Sequence, residues 1–359
     1  MKGAKPMKAG RTLQELAIEL ERQTNAKRDL IVNTGALRMD VVDGRVALNL
    51  GADDYNERFG INDIAHRQFG QYLKIPAPYY DRMRNDFPDL LTSNVNGWLA
   101  KEPENRRMLR TLDGTTRAFL SDRYRRIDNY EVAQTVLPII GSMDGASVES
   151  CELTESKMYI KVVNQRITAE IAKGDVVQAG IVITNSEVGH GSVSVKPLIY
   201  RLVCLNGMIV EDGAIRKYHV GRANEADDNF NIYRDETIEA DDRAFMMKIE
   251  DAVSAAVNQA RFNSIVSRLR ESREAKTDPP AVPKVVELTS KEYSITQAES
   301  EGILGHLIAG GDLSLYGLAN AVTRHAHDVD SYDRSTELET LGYKIATMSP
   351  STWRRLSNV

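Results

Sequence analysis

The stretch RRMLRTLDGTTRAFLSDRYRR, residues 106–126, holds seven arginines and two aspartates. That is more than twice the basic density an even spread of the chain's 46 Lys and Arg would give. Arginine offers a planar fork that matches phosphate and a flat face that stacks on bases, and neighbouring aromatic rings supply platforms indifferent to base identity. The chemistry suited to this composition is non-covalent holding of a single nucleic-acid strand. Arg110, Arg117, Arg123, Arg125 and Arg126 would then contact phosphates, Phe119 and Tyr124 would stack, and Lys196 and Arg201 on later strands would extend the groove.

Asp113-Gly114 reads as a two-residue hairpin turn, which fixes a register. It pairs Leu112 with Thr115, Thr111 with Thr116, Arg110 with Arg117, Leu109 with Ala118 and Met108 with Phe119. One face carries Thr111, Thr116, Leu109 and Ala118 and suits the core; the other carries Arg110, Arg117, Met108 and Phe119. Two arginines directly opposed repel by up to about 1 kcal/mol unless an anion lies between them. A phosphate supplies that anion, and so does a carboxylate. Residues 225–242, with eight Asp or Glu against Arg234 alone, are an internal source. Ion pairing within or between subunits, nucleic acid, and a small anionic ligand are the three readings of the segment.

Other chemistry is less well marked. RHAHDVD, residues 324–330, gathers His325, His327, Asp328 and Asp330, but on a helix positions two apart point to different sides, so His325 and His327 do not share an ion. His190 in EVGHG and His219 in KYHVGR read as loop or strand histidines. No Walker A loop, Gly-x-Ser-x-Gly elbow, dinucleotide fingerprint or Cys-x-x-Cys pair is present. The sequence therefore nominates no catalytic residue, no metal ligand set and no cofactor. GQYLKIPAPYYDRM, residues 70–83, has the outline of a helix-turn-helix, with the small Gly70 in the first helix, Leu73 and Ile75 around the turn and Tyr80 facing back to the core from the second, yet Lys74 stands where glycine is common and two prolines follow.

The elements that must position these residues follow from pattern. Residues 12–27 carry Leu13, Leu16, Ala17 and Leu20 at helical spacing. ALRMDVVDGRVALNL is a hairpin about Asp43-Gly44, and residues 61–103 are helical between Pro76, Pro78 and Pro88. A helix spans about 130–140, and strands fill 147–210, where Val193 and Val195 alternate with Ser192, Ser194 and Lys196 as if one face were wet. One long helix of about 30 residues is expected over 242–273, TDPPAVPK reads as a linker, and Thr296 with Glu299 opens a C-terminal helical region through a capping box. The fold class is α+β: a mainly helical region 1–104, a central core of antiparallel hairpins and a long helix over 105–275, and a proline-rich linker with a helical tail over 276–359.

Bulk properties bound the function. With 359 residues, 42% hydrophobic and 27% charged, the chain can bury a substantial core. Its formal charge of −5 argues against a uniformly basic coat but leaves room for a local anion site. No run approaches the ~20 apolar residues of a membrane span, no signal core follows the basic N-terminus, and two cysteines make no disulfide framework. A cytoplasmic location without membrane association is expected.

INDIAHRQFGQYLKIPAPYYDRM, RTLDGTTRAFLSDRYRRIDN, TNSEVGHGS and YRLVCLNGM occur in that order. Over about residues 55–330 the chain resembles the phage/plasmid-like family, domain of unknown function 932, whose members are encoded in phages, prophages and conjugative plasmids. The resemblance implies no activity, but its setting favours work on mobile DNA. The expectation is a single-stranded DNA-binding protein, oligomeric so that short basic patches align, assisting annealing, recombination or replication. The hairpins followed by a long helix match, by topology alone, the core of Rad52-type annealing proteins. The alternatives are a module that binds a host defence or replication protein, and a metal-dependent nuclease or hydrolase using the 325–330 cluster.

Overall fold

The computed structural model describes residues 8, 10–52, 55–211, 215–217, 235–255 and 258–357. Helix α1 (Leu13–Ala26) begins at a capping box in which the Thr12 hydroxyl accepts from the Glu15 N–H while Glu15 accepts from Thr12 N–H. Leu16 and Leu20, four residues apart, bury its inner stripe.

The region expected to be mainly helical builds most of a sheet. Strands β1 (Arg28–Asn33), β2 (Leu37–Val42), β3 (Arg45–Ala52) and β4 (Tyr55–Ile61) precede helices α2 (Asp63–Tyr72), α3 (Ala77–Asp86) and α4 (Pro88–Leu99). Asp43 and Gly44 both take positive φ, 51° and 75°, and close the β2–β3 hairpin at the expected turn. Strands β5 (Arg106–Leu112) and β6 (Thr115–Ser121) complete the sheet in the order β1-β5-β6-β4-β3-β2. Leu37, Met39, Leu48 and Leu109 pack with Phe69, Leu91 and Val95 of the helices on one face. The sequence pattern does not show β1, whose apolar run Leu30–Val32 is short and follows Arg28 and Asp29, or β4, where Asn, Glu and Arg interrupt the apolar residues; pairing of β1 to β5, and of β4 to β3 and β6, supplies the backbone partners that make them strands.

After α5 (Asn129–Ser142) comes the second sheet: β7 (Ala146–Leu153), β8 (Met158–Ala172), β9 (Asp175–Asn185), β10 (Val193–Arg201), β11 (Asn206–Ile209) and β12 (Ile215–Lys217). Its order is β11-β10-β9-β8-β7, all antiparallel, with β12 beside β10. The expected wet face is absent. Ser194 is buried and its hydroxyl meets Thr184 Oγ1 at 2.8 Å, because helices cover the sheet beyond what alternation in one strand reveals.

The long helix is two: α6 (Asp235–Ala255) and α7 (Gln259–Glu274), the second restarted by Asn258, whose side chain accepts from the Ala260 and Arg261 N–H groups. The three-proline segment packs instead of bridging. It forms a short 3-10 turn at Pro279–Ala281 and the start of α8 (Val282–Glu292), with Val282, Val285 and Val286 buried. Helices α9 (Gln297–Gly310), α10 (Leu315–His325), α11 (Tyr332–Ala346) and α12 (Pro350–Ser357) follow, and α9 opens at the expected Thr296–Glu299 box. Among the described residues no helix is long and apolar enough to cross a membrane.

Candidate functional site

Arg110 sits on β5 and is fully buried. Its register partner on β1 is Asp29, so opposite charges face each other across the strands. Nε and Nη2 donate to the two Asp29 oxygens at 2.8 and 3.0 Å, Nη2 also reaches Asp128 Oδ1 at 2.7 Å, and Nη1 reaches the Glu187 carbonyl at 2.9 Å. Burial opposes the Arg110 charge, but Asp128, Asp29 and Glu187 outweigh it and raise its pKa. Burial likewise opposes ionisation of Asp128, and Arg110 with Lys27 outweighs it and lowers that pKa.

The expected Arg110–Arg117 opposition does not form. Thr111 pairs with Thr116 as the turn dictates, but Arg110 pairs with Ala118, leaving Arg117 as the extra residue of a bulge. The slip moves Phe119 opposite Leu109, onto the apolar face, where its ring stacks on Phe69 at 4.0 Å between centroids. Arg117 turns inward and donates to Glu187 Oε2 at 2.5 Å. Glu187 Oε1 accepts the Asn129 N–H at 2.7 Å, at the positive end of α5, and lies 3.4 Å from Lys27 Nζ. Thus the loop TNSEVGHGS and the arginine segment meet in one buried network that joins the first sheet to the second.

The remaining residues of the expected groove divide. Arg125 pairs with Asp241 at 2.7 Å, so the acidic stretch supplies a partner there, although residues 218–234 and with them His219 lie outside the described residues. Lys196 pairs with Glu211 at 3.0 Å, and Arg201 is bidentate on Asp175 at 2.6 and 3.0 Å. Tyr124 is half-buried and donates to the Ser186 carbonyl. Arg123 and Arg126 are exposed, Arg126 with Asp29 at 3.5 Å. Arg110, Arg117 and Phe119 are therefore unavailable to a strand in solvent, because each is enclosed by protein partners; Arg123 and Arg126 remain accessible.

An open cleft of about 360 Å³ lies beside this network. Its walls are Ile64 and Arg67 of α2, Glu155, Ser156 and Lys157 of the β7–β8 turn, His190, and Asp333 and Glu337 of α11. Asp333 is occupied by hydroxyls: Tyr159 donates to Oδ1 at 2.7 Å, Ser156 to Oδ2 at 2.6 Å and Thr154 to Oδ1 at 3.0 Å. Glu337 is held by Arg334 at 3.0 Å. Arg67 and Lys157 thus share the cleft with three carboxylates, Glu155, Asp333 and Glu337, of which Asp333 is turned to the hydroxyls and Glu337 to Arg334. Burial first, then Lys157 and Arg67, lower the His190 pKa, so near neutral pH its ring carries one N–H and no charge.

The helix-turn-helix outline is real as packing. A Cβ at Gly70 would stand 3.1 Å from Tyr80 Cδ2, and the Tyr80 hydroxyl meets His66 Nδ1 at 3.0 Å. In the C-terminal helices His325 and Asp328 meet His306 of α9, not His327, which lies against Arg324 with Nδ1 and Nη1 2.7 Å apart. Sequence reading missed His306, Arg67, Lys157 and Glu187. Glu187 lies within TNSEVGHGS, Arg67 within INDIAHRQFGQYLKIPAPYYDRM, and Lys157 opens the strand run KMYIKVV, whereas His306 has no spacing signature because nineteen positions and a helix end separate it from His325.

The molecule is thus a two-sheet α+β protein with a charge-paired junction and an adjoining polar cleft. A family model described as Domain of unknown function (DUF932) matches residues 118–344, more than half of the chain, and the chain belongs to that family. The match runs from β6 into α11 and takes in Glu187 and the cleft residues Glu155 to His190, while residues 55–117 lie outside it. No curated protein and no solved structure matches the chain.

Proposed function

We propose that the chain is a nucleic-acid-binding protein of phages and plasmids that holds single-stranded DNA without covalent chemistry. The observation that carries the reading is the division of cations at the junction: Arg110, Arg117 and Lys27 are neutralised inside, while Arg67 and Lys157 stand in an open cleft they share with Glu155, Asp333 and Glu337, and Arg123 is exposed on the connection after β6. One or two backbone phosphates fit this number of charges, so the chain relies on assembly of several copies to hold a long strand. A family setting in mobile DNA supports annealing, recombination or replication as the context.

Fluorescence anisotropy with labelled single-stranded oligonucleotides, at several salt concentrations, tests the reading. Each phosphate contact contributes a slope of about 0.7 in log affinity against log salt for single strands. Arg67→Ala with Lys157→Ala is expected to flatten the slope by about 1.4 and weaken binding on every sequence. An unaltered slope and affinity in the double variant would remove the cleft from the assignment.

A second reading has its own observation. Tyr79 of α3, Phe87 between the helices, and Leu90 and Trp98 of α4 are 47 to 54% exposed, and Leu90 and Trp98 share one helical face. That surface suits a protein partner. Retention of a host protein lost in Trp98→Ala, with no oligonucleotide binding by the wild type, would favour it.

A further inference from the structure

His306 and His325 project from neighbouring helices α9 and α10, and Asp328 follows the end of α10. One ligand atom from each lies within 4.8 Å of the other two. His306 Nε2 is 2.5 Å from Asp328 Oδ2, and His325 Nδ1 is 3.7 Å from the same oxygen. Ligands around a tetrahedral ion with bonds of about 2.0–2.1 Å lie roughly 3.3 Å apart, so small side-chain shifts convert this set into a coordination shell.

Three further features favour an ion. The His325 Nδ1 atom has no hydrogen-bond partner among the described residues, although solvent does not reach it. Gly302, one turn before His306, makes room for that ring: a Cβ there would stand 2.4 Å from His325 Cε1. The nearby cations are turned to other groups, Arg334 to Glu299 at 2.8 Å and to Glu337 at 3.0 Å, and Arg324 to the His327 ring at 2.7 Å. Neither guanidinium therefore fills the position between the two imidazoles and the carboxylate.

We propose that His306, His325 and Asp328 bind one divalent first-row transition ion such as Zn²⁺, with a coordination position open to water. Two imidazoles and one carboxylate are borderline donors that suit Zn²⁺ or Co²⁺ and disfavour Mg²⁺ or Ca²⁺, which take all-oxygen shells. The side chains of His306 and Asp328 are 27% and 38% exposed, which gives the ion an entry path and leaves its outer side wet. This inference does not depend on nucleic-acid binding, because none of the three residues lines the cleft.

The test uses tag-free full-length chain stripped of metal, titrated with Co²⁺ and followed by visible absorption, then with Zn²⁺ by calorimetry. The wild type is expected to take up one ion per chain with a four-coordinate Co²⁺ spectrum that Zn²⁺ displaces, and to melt at higher temperature with Zn²⁺ present. His306→Gln and His325→Gln are each expected to lose the spectrum and the melting shift, while His190→Gln keeps both. His306 is half-buried at the surface of α9, so its variant retains the fold even where the more enclosed His325 variant does not. No uptake by the wild type overturns the assignment. So does uptake that His306→Gln leaves unchanged.

Discussion

Arg110 illustrates how a residue type can be read correctly for its chemistry and wrongly for its partner. A guanidinium among carboxylates and a backbone carbonyl is the same fork that would grip a phosphate, here satisfied by Asp29, Asp128 and the Glu187 carbonyl. At the same scale His66 gives a pH dependence. Burial first, with Arg84 adding, holds its pKa down to about 3, and Asp63 opposes the shift only in part. The unfolded chain, with a histidine pKa near about 6.5, takes up the proton first on acidification. Stability from this group is therefore complete above about pH 6.5 and is lost as pH falls towards the folded value, at up to about 1.4 kcal/mol per pH unit. Urea unfolding between pH 7 and pH 5 is expected to show a steeper loss in the wild type than in His66→Gln; parallel curves would mean that His66 is not held neutral.

Helix and strand contacts depend on single buried pairs. Lys161 of β8 and Glu339 of α11 are both fully buried, with Nζ and Oε2 2.6 Å apart and the Lys161 ammonium 4.8 Å from the Tyr332 ring centroid. Burial raises the Glu339 pKa, opposed by Lys161. Breaking such a pair strands a charge and costs about 3–5 kcal/mol, whereas replacing both partners with apolar groups is near neutral. Lys161→Met alone is thus expected to lower stability by that amount, and Lys161→Met with Glu339→Leu to recover most of it in denaturant unfolding. A double variant no better than the single one would show that the two residues do not act as a pair. Secondary structure was legible where local rules suffice: the Asp43-Gly44 turn, the capping box at Thr296, and helices α1 and α5. It was not legible at β1, whose identity depends on β5 more than seventy residues downstream, at β4, whose charged residues hide its pairing to β3 and β6, or at Asn258, where a side-chain cap divides an otherwise continuous helical pattern.

Across the whole molecule the buried network is the joint between the two sheets, and Glu187 is its hub, accepting from Arg117 and Asn129 and lying beside Lys27. Glu187→Ala is expected to cost about 3–5 kcal/mol, because it leaves Arg117 and Lys27 under-neutralised, while Arg123→Ala at the surface costs no more than about 0.5 kcal/mol. Guanidinium unfolding of both variants checks this, and equal effects would discount the joint. By itself the sequence determined the fold class, the hairpin turn of the arginine segment and the presence of charge that needs an anion, since composition, periodicity and glycine chemistry are local. Only the tertiary structure decided which anion. One bulged residue at Arg117 changes which β6 side chains face inward, and a strand and a loop distant in sequence bring Asp29 and Glu187, beside the nearby Asp128, to meet the arginines. The same holds for His306 with His325: their approach is made by the packing of α9 on α10, for which no spacing along the chain is a code.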